Sequence, residues 1–176
     1  KIVDSDITTF GELLMTSQLR DCSAYVELLR ANGMPLETIF LDLMAPAARW
    51  LGTLWTEDLR TFTEVTLALG TLQRVFRHFT SEFAKNYPLL PARRALLVPA
   101  PGEQHTFGLF VVETFLHRAG WQVDTMANYD SLAVRDYLAA NPVQLVGISL
   151  SCERFLEETS AAVAMVREES ADHGVA

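Results

Sequence analysis

The sequence predicts an α/β chain in two parts. An N-terminal four-helix bundle cap is followed by a flavodoxin-like, Rossmann-type doubly wound parallel sheet that is truncated at its C-terminal end. Three observations carry this prediction. Apolar residues recur at helical spacing through residues 7–86. The period changes after "KNYPLLPARR", where Pro88 and Pro91 mark a linker over 87–94. From 95 to 176, short continuous apolar runs alternate with amphipathic ones, as expected of buried parallel strands joined by crossover helices.

In the first part, "FGELLMTS" (10–17) reads as a short helix, and "QLRDCSAYVELLRANG" as a second with Leu19, Cys22, Val26 and Leu29 on one stripe. Asn32-Gly33 is its stop, since glycine reaches left-handed geometry without steric cost. Pro35 suits the first turn of a third helix, which runs through Trp50 to Leu54 and should kink at Pro46. The fourth helix runs from its N-cap, Thr61, to Phe83, with Glu64 as capping-box partner. In the second part the expected order is strand "ALLVPA" (95–100), helix 107–119, strand 121–127, helix 131–140, strand 144–149 and helix 153–169. The terminal "HGVA" reads as the opening of a fourth strand, and Lys1 in place of methionine suggests a start inside a longer parent.

Composition narrows the function classes. At 176 residues, 49% hydrophobic and 20% charged, the chain has the apolar mass for a real core. No apolar run approaches the roughly 20 residues of a membrane span, and "KIVDSDITTF" is unlike a signal peptide; two cysteines with no disulfide framework make a reducing cytoplasm the expected location. A net charge of -8 argues against unaided binding to nucleic acid. Cys22 and Cys152 form neither a metal-spaced pair nor a disulfide framework; a small buried side chain is the favoured role for Cys152 over a redox one. His78 reads as a surface residue, His117 as the last turn of its helix and His173 as a loop; with no partner at i+3 or i+4, none suggests zinc. "CERFLEET" reads as a helix start with acidic residues at its positive end, or as a partner-binding cluster.

The informative stretch is "PGEQHTFG", at the carboxyl end of the first strand, where doubly wound sheets bind ligands. "SLSCE", after the third strand, should face the same crevice. Gly102 and Gly108 would let the backbone turn tightly beside a large ligand. His105 can present a ring nitrogen outward while Glu103 bonds the other, fixing the tautomer as an outer partner of a metal-bound histidine does. The alternative is that His105 merely caps the helix starting near Thr106. GxGxxG and GxxxxGK[ST] are both absent, which disfavours a dinucleotide site and a P-loop.

"E-Q-H-T-F-G", comprising Glu103, Gln104, His105, Thr106, Phe107 and Gly108, resembles the D/E-x-H-x-x-G signature of cobalamin-binding domains of the methionine-synthase and CarH photoreceptor type. The resemblance implies His105 as the lower cobalt ligand and the metal-binding residue, replacing the cofactor's own base. The family's S-x-L motif falls on Ser149, Leu150 and Ser151, which implies Ser149 against the buried nucleotide tail, with Ser151 departing from the leucine. The helical part resembles the cap over the corrin in these proteins. Trp55 matches the tryptophan of the upper face, for which plain core packing at a helix end is the alternative. Thr56 stands where CarH-type members carry a histidine and Val65-Thr66 where they carry a Glu-His pair, so the resemblance implies that Phe62, Val65 and Leu69 would offer an apolar upper wall. This cap, W-x-x-D-x-x-x-F-x-x-V-T, most resembles the AerR/PpaA antirepressors of purple photosynthetic bacteria and the related C-terminal domain of AppA.

That resemblance implies a non-enzymatic regulator, with light or redox sensed through cobalamin and reported to a photosynthesis repressor of the CrtJ/PpsR type. Two alternatives stay open: a haem-holding sensor of the AppA type, and a corrinoid methyl carrier.

Overall fold

The computed structural model describes residues 1–16, 18–83 and 93–170. By their internal packing the residues divide into two compact units, Lys1–Phe83 and Ala84–Ala176. The linker prolines Pro88 and Pro91, the loop histidine His173 and the terminal "HGVA" lie outside the described residues.

The first unit is helical. Helix α1 spans Asp4–Thr16, six residues earlier than the apolar pattern announces. Its start is polar: the Asp6 carboxylate accepts the Val3 N–H at 2.9 Å, so an acidic residue in the first turn satisfies a donor the helix leaves free. Helix α2, Leu19–Ala31, ends as its sequence suggests. Gly33 has φ 83°; its N–H donates to Arg30 O and that of Met34 to Leu29 O, the paired bonds of a Schellman stop. Cys22 and Val26 are fully buried on its inner stripe, where burial and the neighbouring Asp21 raise the Cys22 thiol pKa.

The third rod is three joined pieces: α3 at Leu36–Thr38, a wide π-type segment at Ile39–Met44, and α4 at Ala45–Thr56. The sequence suggests a kink at Pro46. Wide turns, one of the recurrent causes of a helix bend, lie just before it. Proline brings no N–H and its ring crowds the carbonyl four residues back. Just before it, Ala45 N–H donates to Phe40 O, five residues back. Helix α5, Phe62–Phe83, begins with the expected box: Glu64 accepts the Thr61 N–H at 2.8 Å and Thr61 Oγ1 accepts the Glu64 N–H at 3.3 Å. The core is aromatic and aliphatic, with Phe40 against Phe76 at 4.3 Å between ring centroids. No described helix is long and apolar enough to cross a membrane.

The second unit is a parallel sheet wound on both faces. Strands β1 (Arg94–Pro99), β2 (Gln122–Thr125) and β3 (Leu145–Ser149) lie in the order β2-β1-β3 among the described residues. Ala95 and Leu97 pack with Leu109 of α6 (Phe107–Arg118) on one face. Leu96 and Val98 pack on the other with Val134 and Leu138 of α7 (Ser131–Ala140) and Met165 and Val166 of α8 (Leu156–Glu169). β1 is thus central and buried on both faces, which is why it reads as an unbroken apolar run. A short 3₁₀ turn, Glu153–Phe155, replaces the expected first turn of the last helix. The register pairs Pro99 with Ser149, which brings the loops after β1 and β3 side by side.

Candidate functional site: a wired histidine at the strand ends

The chain leaves β1 through a four-residue turn. Glu103 N–H donates to Ala100 O at 2.9 Å, with Pro101 and Gly102 between. Proline presets the first central position, and Gly102, at φ 80°, occupies the left-handed second one, the combination a type II turn requires. Gly108 is different: it lies inside α6 with open space where a side chain would point, so no tight turn depends on it.

This turn drives the Glu103 side chain inward, where it is 1% exposed. A carboxylate so buried must find donors. Oε1 accepts the Gln104 N–H at 2.8 Å, the His105 N–H at 2.7 Å and the His105 ring at Nδ1, 2.6 Å away. Oε2 accepts the Ser151 N–H at 2.8 Å and the Ser151 hydroxyl. Burial alone would raise the pKa of this acid. Hydrogen bonds from the Ser151 hydroxyl and the His105 backbone, followed by those from the His105 ring and Ser151 backbone, outweigh it and hold the pKa at about 2.

An ionised carboxylate is an acceptor only, so Nδ1 must carry the proton and Nε2 of the neutral ring keeps its lone pair. The His105 side chain is 73% exposed, and Nε2 has no hydrogen-bond partner among the described residues. Thr106, the residue capping α6, makes no side-chain bond to the helix, and the His105 ring is committed to Glu103 at Nδ1. The site therefore presents one outward-facing, tautomer-fixed imidazole nitrogen. Among the described residues, no three His, Cys, Asp or Glu side chains gather as a cage for a bare metal ion. A lone imidazole instead suits a metal whose other positions are already filled by a macrocycle.

Ser149 is the second feature. Its hydroxyl is buried and has no hydrogen-bond partner, the one such side-chain atom among the described residues. Leu150 is exposed, and so is Cys152, contrary to the small buried side chain expected of it. Ser151, where the sequence pattern has leucine, proves to be the residue that ties the β3 loop to Glu103. Sequence reasoning missed that role, because a contact across 48 positions has no local signal.

In the helical unit, Trp55 is 48% exposed and meets Phe62, 67% exposed, edge-on at 5.9 Å, so Trp55 is not core. Val65 is buried. It falls in line with Ala68, Leu72, Val75 and Phe76 on the inner stripe of α5, and that spacing turns it away from any open wall. His78 is exposed, and its ring lies edge-on to Phe79. His117 does have a carboxylate one turn back: Nε2 is 3.7 Å from Glu113 Oε1.

Comparison with known proteins adds three findings. The chain is 34% identical over 95 residues to an uncharacterized 20.5 kDa protein of Rhodobacter capsulatus from the bchF-crtJ intergenic region; the match covers 53% of this chain and 50% of that one. It thus spans about half the length of that curated relative. Among solved structures, the monomethylamine corrinoid protein of Methanosarcina barkeri matches with a TM-score of 0.78 at 16% identity, over 97% of this chain and 81% of that one. The methanol:cobalamin methyltransferase complex MtaBC of the same organism matches with a TM-score of 0.50 at 12% identity, over 95% and 64%. At such identities the likeness is one of fold. No protein-family model matches the chain.

Proposed function

We propose that this chain binds a corrinoid through His105 and serves as a sensor that reports the cofactor's state to a transcriptional repressor. The observation that carries the binding reading is the Glu103–His105 bond, which leaves Nε2 as an exposed ligand on a fold shared with corrinoid proteins. When bound, a cobalamin would supply a cobalt centre able to exchange or lose a ligand. The chain's own part is to hold and orient. His105 would ligate the cobalt, with Glu103 and Ser151 keeping its proton on Nδ1. Ser149 would offer its unpaired hydroxyl to the nucleotide tail.

A haem would also accept an imidazole ligand, but has no tail to use the Ser149 hydroxyl, which favours the corrinoid. A methyl carrier would share this binding site. The regulatory reading is favoured by the relative from the bchF-crtJ region, and it makes a repressor of the CrtJ type the partner, with no direct contact to nucleic acid by this acidic chain.

Reconstitution with hydroxocobalamin, adenosylcobalamin and haemin tests the cofactor. The expected result is a corrin spectrum shifted to the form lacking its own base. His105→Ala is expected to abolish that shift and weaken affinity by more than about 100-fold, beyond the range typical of an outer partner. Stoichiometric haem retention, or full cobalamin affinity in His105→Ala, overturns the reading. Co-purification with the repressor, with and without cofactor, tests the partner; binding that ignores the cofactor overturns the sensor role.

A further inference from the structure

We propose that Phe155 is a positioning residue for His105: its ring, seated on the Gly102 backbone, holds the segment Ser151–Phe155 closed over Glu103 and so keeps the imidazole proton on Nδ1. The functional weight of this rests on the reading of His105 as a cofactor ligand.

Glu103 is fixed from two directions. Its own loop supplies the Gln104 and His105 N–H groups, and the β3 loop supplies Ser151. Ser151 is itself exposed, in a short irregular stretch between β3 and α8. Such a stretch holds its donors in place only if something anchors it. The anchor visible four residues on is Phe155. A Cβ built on Gly102 would lie 2.9 Å from Phe155 Cε1 and 3.5 Å from Cδ1, so the edge of the ring fills the space a side chain would take. The Arg154 guanidinium covers the face of the same ring, 4.3 Å from its centroid. Gly102 is thus required twice, for its left-handed φ and for the ring upon it. The two loops are clasped at two points, Ser151 on Glu103 and Phe155 on Gly102, the residue before it. Truncating the ring frees the segment, loosens both Ser151 bonds, and leaves Glu103 free to drift from Nδ1.

The test reads the tautomer in the protein alone, so it is independent of any cofactor. Long-range proton–nitrogen NMR at about pH 9, well above the ordinary imidazole pKa of ~6.5, reports which ring nitrogen of His105 is protonated. The His105→Gln spectrum assigns the signal. The expected result is Nδ1–H alone in the wild type and in Phe155→Tyr, with comparable populations of both tautomers in Phe155→Ala and Phe155→Val. Ser151→Ala should mix them too. An unchanged Nδ1–H population in folded Phe155→Ala and Phe155→Val overturns the proposal, as does a mixture in the wild type. Hydroxocobalamin titration then separates the two readings. If the wild type binds, Phe155→Ala should weaken binding about 10-fold, as outer partners of metal ligands do. If the wild type fails to bind, the cofactor reading falls while the tautomer result still decides the role of Phe155.

Discussion

His105 and His117 sit at opposite ends of α6, in the same unit, and each has a carboxylate nearby; they are nonetheless built for different work. At His105 the carboxylate is buried, saturated with donors and 2.6 Å from Nδ1, while the ring itself is 73% exposed. At His117 the carboxylate of Glu113 is 3.7 Å from Nε2, Nδ1 faces the Trp121 carbonyl at 3.3 Å, and the side chain is 39% exposed. The first arrangement commits one nitrogen and offers the other. The second turns both nitrogens toward acceptors of its own chain and offers neither. A histidine becomes a ligand through what is done to its second nitrogen, and the decisive residue is the carboxylate.

Replacing that carboxylate should break the contrast. In Glu103→Gln a single amide oxygen must serve the fixed N–H donors of Gln104, His105 and Ser151, and the new NH₂ adds two donors where acceptors were needed. We expect a loss of about 1–3 kcal/mol in stability for the unpaired buried donors, and roughly 10–100-fold in cobalamin affinity as the His105 tautomer is released. Glu113→Gln should change neither by a measurable amount. Denaturant melts and cofactor titration of the two variants make the comparison; equal effects would mean that the two histidines are held alike.

How much of this site was legible in the sequence follows from the range of each interaction. The Glu103–His105 pair is two residues apart, and its hydrogen bond could be read from spacing. So could the left-handed Gly102, the buried central strand and the Thr61–Glu64 box, because each is decided within a few residues. Ser151 could not, since its bond to Glu103 depends on Pro99 and Ser149 pairing in adjacent strands. Phe155 is obscured for the same reason. Val65 is buried where the sequence suggests an open wall, because a small step around α5 separates an exposed face from a buried one and the order Phe62, Val65, Leu69 fits both. The early start of α1 has no apolar signal, because polar capping by Asp6 begins it.

Acidification should sharpen the contrast. The Glu103 carboxylate has its pKa lowered from 4.5 to about 2. Its contribution to stability is therefore complete above about pH 4.5, where the acid is ionised folded or unfolded, and is lost as pH falls toward about 2. The difference in melting temperature between wild type and Glu103→Gln is expected to shrink as pH falls from about 4.5 toward about 2. A difference that stays constant down to pH ~2 would show that the carboxylate is not the group held ionised by its donors.

The smallest effect should come from His117→Ala. The ring loses one long bond to the Trp121 carbonyl and an ion pair that exists only when the ring is protonated. Half-exposed contacts of this kind are worth about 0–1 kcal/mol, and the favourable placement of a cation at a helix C-terminus adds a few tenths at low salt. A drop of under about 1 kcal/mol in urea melts, with cobalamin affinity unchanged, is the expected outcome. The variant also carries information about the first histidine: α6 starts from the loop that holds His105, so a change at its far end that altered cofactor affinity would mean that the helix, and not the Glu103–Ser151 wiring, positions the ligand.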